Sequence, residues 1–273
     1  MSMNDLSKYQ YPNKIICLTE ESVETLFLVG RGDLIKGVSA FVKRPNEAQK
    51  LPKVSFFTTS NYDKILSHNP DLIIGHSDIQ KDIARDLIEL GQNVFISNHR
   101  SIDDILGYIL MLSRMVGAEA AGIDLITSLE KKITEAKEFT KTLHKRPRIY
   151  FEEWDDPMIS AIQWVSELID LCGGVDILKS KSQGILAKDR FTSLEEVIAL
   201  NPDIIFGCHC GKKVKVEKIL NREGYQEVNA IKNKKVFELA PEIFLQPGPA
   251  LLIDGIDILM NYIKEFNNEE ENR

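Results

Sequence analysis

The sequence predicts an α/β fold of two Rossmann-like lobes, each built on a mostly parallel sheet, joined by a long rigid helix. Three observations carry this. Short apolar runs alternate with amphipathic stretches in both halves, the pattern of strands buried on both faces between helices. The middle of the chain drops the strand runs and keeps only a helical stripe. One segment of the first half recurs without a gap in the second, which marks a duplication.

The elements follow in order. Residues 14–19 (KIICLT) are too few for a helix and are bounded by polar residues, so they read as a buried strand. Ser22 caps a helix over SVETLFLVG that stops at Gly30. Short strands are expected at 37–41 and 54–57. Asn61 caps the helix NYDKILSHN, and residues 71–75 (DLIIG) form the next strand. Residues 79–90 have helical periodicity up to Gly91, and 93–97 (NVFIS) is again a strand. From 101 to 143 no strand run occurs. Ile102, Ile105, Ile109 and Leu112 make one stripe, and Ile123, Ile126, Leu129, Ile133 and Ala136 continue it among many Lys and Glu. A helix of about 25 residues spans about 37 Å, the length of a lobe, so this stretch is expected to be a strut. After Pro147 the alternation resumes. Strands are expected at 148–152 (RIYFE), 203–207 (DIIFG) and 235–239, and helices at 160–171, 193–200, 213–220 and 250–266. Glu269, Glu270 and Glu271 are left as a solvated end. The expected boundaries are an N-terminal lobe over 14–117, a connecting helix over 118–145 and a C-terminal lobe over 146–266.

Residues 61–75 (NYDKILSHNPDLIIG) and 193–207 (SLEEVIALNPDIIFG) match at a constant offset of 132 positions. Each has a polar cap, an acid two residues on, a helical stripe, Asn-Pro-Asp, a β-branched strand and Gly. Proline restricts the residue before it and cannot donate a hydrogen bond, so Asn-Pro ends the helix. Asp starts the strand edge, and Gly opens the following loop.

A net charge of −7 lacks the basic face that nucleic acid requires. No apolar run approaches the roughly 20 residues of a membrane span. Residues 1–13 are polar, without an apolar stretch or a small-residue cleavage site. As written, the chain is expected in the cytoplasm; with a leader removed it would be periplasmic or surface-anchored. Cys17 and Cys172 read as core, and no cysteine spacing suggests a disulfide framework.

In parallel sheets ligands bind beyond the carboxyl ends of the strands, here in a cleft between the lobes. That rule selects loops at 19–22, 41–45, 57–60, 76–79 and 98–101, and at 153–160, 187–191, 208–213 and 241–249. A small-molecule ligand and a monomeric protein are expected. Trp154, set among acids including Glu153, is a candidate to stack on a planar ligand. Arg44, Arg100 and Arg190 could receive carboxylate, phosphate or catecholate oxygens in bidentate fashion. Glu20 and Glu21 could receive ligand amides or a cation, or simply complement a helix dipole. Asp78, Cys210 and Gln246 complete the candidates in these loops.

The segments TEESVETLFLVG, VSFFTTSNYDKILSHNPDLIIG, LCGGVDIL and FTSLEEVIALNPDIIFG, with the strut, resemble the class III solute-binding proteins of ABC importers. That group takes up cobalamin and ferric siderophores. FEEWDDP and LQPGPALL are similar to its cobalamin-binding branch, which often lacks a leader. One departure is the loop after the first strand, which often carries proline in the family and here reads Thr19-Glu20-Glu21-Ser22. The resemblance implies two lobes, a stiff connecting helix and one ligand, a corrinoid or an iron chelate, with no other cofactor. It places Phe57 where cobalamin binders put an aromatic side chain. It implies that Asp63 and Glu195, equivalent acids of the repeat, dock an ABC permease. Both should then be exposed on one face, on the order of 40 Å apart for two lobes of this size.

The rival reading is a metal-ion-binding protein or an enzyme on the same scaffold. Cys208-His209-Cys210 carries soft ligands, but a triplet on one short loop cannot supply three with relaxed geometry. His76, Asp78, Glu153 and His209 could assemble in space, and Cys210 could act as a nucleophile with His209. No G-x-S-x-G, P-loop, H-E-x-x-H or dinucleotide fingerprint is present, so neither a catalytic nor a metal site is expected.

Overall fold

The computed structural model describes residues 12–271. The chain divides into two compact units between Ser128 and Leu129. The division falls inside a helix that corresponds to the expected 118–145 connector and spans Glu119–Lys141 (α5 in the order below).

The first unit runs β1 (Ile15–Cys17), α1 (Glu20–Leu28), β2 (Ile35–Ser39), β3 (Lys53–Ser55), α2 (Tyr62–Ser67), β4 (Leu72–His76), α3 (Lys81–Glu89), β5 (Val94–Ser97) and α4 (Ile102–Met115). Its five strands form one parallel sheet in the order β3-β2-β1-β4-β5. The central strand shows why its sequence is apolar throughout. Ile15 and Cys17 point into one core with Val23, Leu26, Ile74, Tyr108 and Leu112. Ile16 and Leu18 point into the other, with Ile65, Ile73, Ile83 and Leu87. A strand covered on both faces cannot alternate with polar residues.

The second unit runs β6 (Arg148–Asp155), β7 (Met158–Ser160), α6 (Gln163–Leu171), β8 (Val175–Asp176), α7 (Leu194–Leu200), β9 (Ile204–Gly207), α8 (Val216–Leu220), α9 (Asn229–Lys232), β10 (Val236–Glu238), α10 (Pro241–Phe244) and α11 (Ile256–Glu271). Its sheet has the order β10-β9-β6-β7. β7 runs antiparallel along the end of β6, and β8 runs parallel along its start.

The repeat survives in register: Ile15 faces Leu72 as Ile149 faces Ile204. The aspartate of each Asn-Pro-Asp has a defined task. Asp71 accepts the backbone N–H groups of Asn13 and Lys14 at 2.8 and 2.9 Å. Asp203 accepts that of Arg148 at 2.9 Å. Each carboxylate thus ties the start of its own strand to the start of the neighbouring one. The preceding Asn69 and Asn201 both have positive φ, 47° and 43°, the left-handed conformation that asparagine tolerates. The glycines have a packing reason rather than a loop-opening one. A Cβ on Gly75 would lie 2.5 Å from Gln80 Oε1, and one on Gly207 2.6 Å from Val214.

Several boundaries differ from the sequence reading. α1 starts at Glu20 with Thr19 as its cap, not at Ser22. The Ser22 hydroxyl lies inside the helix and donates to Thr19 O at 2.9 Å, while the two acids occupy the first turn, where the dipole favours them. The expected ligand loop at 153–160 is the β6–β7 hairpin, with Asp156 and Pro157 at its turn. Helix α6 therefore begins at Gln163 rather than 160. The glutamates at the chain end are helical: Lys235 pairs with Glu269, Lys145 with Glu270 and His144 with Glu271.

Candidate functional site

The carboxyl ends of the first sheet bring together most of the residues expected there. Glu21 is buried, accepts a short hydrogen bond from the Thr19 hydroxyl, and leaves its Oε2 without a partner. Burial pushes its carboxyl up to about 8, aided by the neighbouring Glu20 and opposed by the Thr19 hydroxyl. Glu20 is buried as well, accepts from Ser39 Oγ at 3.2 Å, and is raised by the same desolvation. Both side chains are buried at the start of α1.

His76 ends β4 and is buried. Desolvation, with His99 and Arg100 nearby, lowers it to about 3, so the ring is neutral at physiological pH. Its ring meets that of His99 edge-on at 4.7 Å, and His99 stacks on Tyr108 at 4.2 Å. Arg100 reaches Asp78 at 3.3 Å, and Arg44 reaches Glu24 at 2.9 Å. The guanidiniums of Arg100 and Arg44 are therefore matched by local acids, and Glu20, Glu21 and His76 are shifted toward their neutral forms.

The aromatic surface lies one residue away from the expected one. β3 ends at Ser55, not at 57, and Phe56 N–H donates to Thr59 O at 2.7 Å in a tight turn. Phe56 is 58% exposed and meets the 42% exposed Phe41 edge to face, with ring centroids 6.1 Å apart. Phe57 is half-buried, and its carbonyl accepts Gln80 Nε2 at 3.0 Å. Gln80 escaped the sequence reading. Fully buried, it also accepts His76 N–H at 3.0 Å and donates to Leu18 O at 3.4 Å. One amide thus ties the ends of β1 and β4 to the Phe56–Phe57 turn. A glutamine directly after an apolar strand and a short turn carries no sequence signal of that role.

The second unit places its candidates differently. Arg190 is buried and grips both oxygens of Glu153, Nη2 to Oε1 at 2.9 Å, while Nη1 also donates to Ser160 O at 2.7 Å. It therefore ties the segment before α7 to the hairpin. Trp154 sits on β6, donates to Asp156 O at 2.9 Å and tilts against His209 at 5.7 Å. Lys212 Nζ lies 3.8 Å above its ring, so one face of the indole is already taken. Gln246 is half-buried beyond α10, and its carbonyl accepts Gly248 N–H at 2.8 Å.

Beside Trp154, Glu152 is fully buried and receives the Arg222 fork at 2.6 and 3.0 Å. Burial raises its carboxyl, but His209 and Arg222 outweigh that and hold it below the usual range. Asp155 is held at about 2, because Lys212 and Lys218 overcome its partial burial. Cys208 is buried with its thiol raised well above the ordinary range, whereas Cys210 is exposed. Among the described residues no group of three His, Cys, Asp or Glu side chains is arranged to hold a metal ion. Asp63 and Glu195 are both exposed in the first turns of α2 and α7.

Comparison with known proteins agrees with this architecture. An uncharacterized ABC transporter substrate-binding lipoprotein, YvrC of Bacillus subtilis (strain 168), is 26% identical over 271 residues, 96% of this chain and 83% of that protein. The vitamin B12-binding protein of Vibrio cholerae serotype O1 is 27% identical over 256 residues, covering 92% and 89%. Among solved structures, the periplasmic vitamin B12-binding protein BtuF of Vibrio cholerae superposes with a TM-score of 0.74 at 25% identity, over 92% of this chain and 96% of that one. The periplasmic heme-binding protein RhuT of Roseiflexus sp. RS-1 shares the fold, with a TM-score of 0.78 at 22% identity over 92% and 99%. The family model for the periplasmic binding protein matches residues 15–243, and the chain belongs to that family.

Proposed function

We propose that this periplasmic binding protein holds a medium-sized, ring-bearing ligand of corrinoid, haem or iron-siderophore kind and presents it to an ABC permease. The observation that carries the reading is the exposed Phe41–Phe56 pair at the carboxyl-end rim of the first sheet, flanked by neutral or internally paired polar groups. Two exposed aromatic rings in contact offer a face and an edge to a planar or macrocyclic partner. A rim whose arginines Arg44 and Arg100 are paired with local acids suits a ligand recognised by shape and apolar area. The names of the relatives, vitamin B12-binding and substrate-binding lipoprotein, support the same class. They also support a station outside the cytoplasmic membrane. Among the described residues, no helix is long and apolar enough to cross a membrane.

Native mass spectrometry and calorimetry against cyanocobalamin, haemin and a ferric hydroxamate test the proposal. One of the three is expected to bind, and Phe56→Ala is expected to weaken it about tenfold, roughly 1.4 kcal/mol, while leaving thermal stability unchanged. If none binds more tightly than a Kd of about 1 mM, roughly −4 kcal/mol, the reading fails.

A further inference from the structure

The second unit contains a concave site whose chemistry is opposite to that of the Phe41–Phe56 rim. A cavity of about 270 Å³ lies beside β6, walled by the 211–218 segment and by Arg222. Lys212, Lys213, Lys215 and Lys218 line it together with Arg222, against two acids, Glu152 and Asp155. Five cations face two anions in a chain whose net charge is −7. Glu152 is consumed by Arg222, and Asp155 is shared by Lys212 and Lys218. Lys213 and Lys215 have no counter-ion among the described residues. They flank Val214, which is buried and whose N–H donates to Glu238 at 2.9 Å. That anchor holds both exposed lysines on one short stretch beside the cavity.

A second observation comes from the wall itself. His209 is 3% exposed and lines the same cavity, and its Nε2 has no hydrogen-bond partner. Glu152 Oε1 lies 3.5 Å from it, without the alignment of a hydrogen bond. The Glu152 carboxylate therefore meets this ring nitrogen electrostatically but does not close a hydrogen bond with it, which leaves the ring edge open to a ligand in the cavity.

We propose that this cavity binds a compact, multiply charged oxyanion, bearing phosphate or carboxylate groups. Lys213 and Lys215 supply the unmatched charge, and His209 Nε2 supplies a directed polar contact. Ammonium groups act as point charges without the planar demand of a guanidinium, so they receive tetrahedral and planar oxyanions alike. The site stands on the second unit alone and does not depend on which ring-bearing ligand the protein takes.

The test uses the full-length protein and pyrophosphate or citrate as probe. The chain has only two tryptophans, and the second, Trp164, is 3% exposed with its indole N–H given to Phe244 O. Lys212 sits over Trp154, so an anion that draws this lysine away changes Trp154 emission, and Trp154→Phe abolishes the change. Saturable binding is expected with a Kd tighter than about 1 mM, weakened by added salt because the contacts are ionic. Lys213→Glu with Lys215→Glu is expected to raise Kd at least about tenfold. The pair Lys213→Ala and Lys215→Ala gives a smaller loss without placing new acids on the loop. Competition of pyrophosphate with cyanocobalamin or haemin would assign the site to an anionic group of that ligand; independent binding would assign it to a free anion. No saturable binding by either probe, or an affinity unchanged in both lysine pairs, overturns the proposal. Neither result touches the corrinoid and haem titrations of the proposed function, so the two readings fail separately.

Discussion

Substituting Glu21 by glutamine should stabilise the protein more at pH 9 than at pH 6. The carboxyl is 1% exposed, one oxygen lacks a partner, and burial lifts it from 4.5 to about 8. A group whose folded pKa is raised contributes stability below its unfolded pKa and loses it as pH rises through the folded one. The window is therefore pH 4.5 to 8. At about 1.4 kcal/mol for each tenfold, the whole window amounts to about 5 kcal/mol, of which about 2.5 kcal/mol falls between pH 6 and pH 9. Glutamine does not titrate, but its amide leaves a buried donor unmet, a cost of about 1–2 kcal/mol. At pH 6 the parent has already lost about 2 kcal/mol of this contribution, so the variant should match it or be slightly more stable. At pH 9 it should gain about 2.5 kcal/mol relative to its standing at pH 6. Both tryptophans lie in the second unit, so emission does not report this event. Hydrogen exchange of peptides covering β1 and β4, measured at both pH values and corrected for intrinsic rates, does. If the difference between variant and parent is the same at pH 6 and pH 9, Glu21 ionises normally and the argument from burial is wrong.

Three further outcomes are expected. Asp71→Ala and Asp203→Ala each remove backbone hydrogen bonds at the start of a strand; each should cost about 1–3 kcal/mol in its own unit, read by urea denaturation with unit-specific hydrogen exchange. Arg222→Ala strips the fork from the fully buried Glu152 and should destabilise the second unit by about 3–5 kcal/mol, with Glu152→Gln in the same chain recovering part of the loss. Asp63→Lys with Glu195→Lys, both on exposed first turns, should abolish transport in a reconstituted uptake assay while ligand affinity stays constant. Loss of affinity would instead place these acids in binding.

The two-unit architecture was readable because duplication writes itself twice, and the Asn-Pro-Asp frame returns in register at Leu72 and Ile204. What the aspartates do was not readable. Their partners, Lys14 and Arg148, lie 57 and 55 positions away, beyond any local pattern. The β6–β7 hairpin was missed because acids and proline in FEEWDDP resemble a loop. In the structure Arg190 matches Glu153, and lysines match Asp155, so the strand continues. Phe56 and Phe57 are indistinguishable as letters; the structure leaves Phe56 exposed and Phe57 half-buried, in a turn whose Phe57 carbonyl is held by Gln80. The lysines of GKKVKVEK fall in the stretch read as a loop at 208–213 and a helix at 213–220. Only the burial of Val214 and the late start of α8 at Val216 gather them at one cavity.

The paired aspartate clamps bear on how the chain acquires its structure. In each half the central strand pair is sealed by closing a loop, of 57 positions in the first and 55 in the second. Closure entropy grows only with the logarithm of length, so the two closures differ by about 0.03 kcal/mol. Neither half has a topological head start in forming its central pair. Any difference in their refolding rates must come from what is attached to that pair, and the β6–β7 hairpin, among the described residues the one antiparallel pair of named strands, is the first place to look.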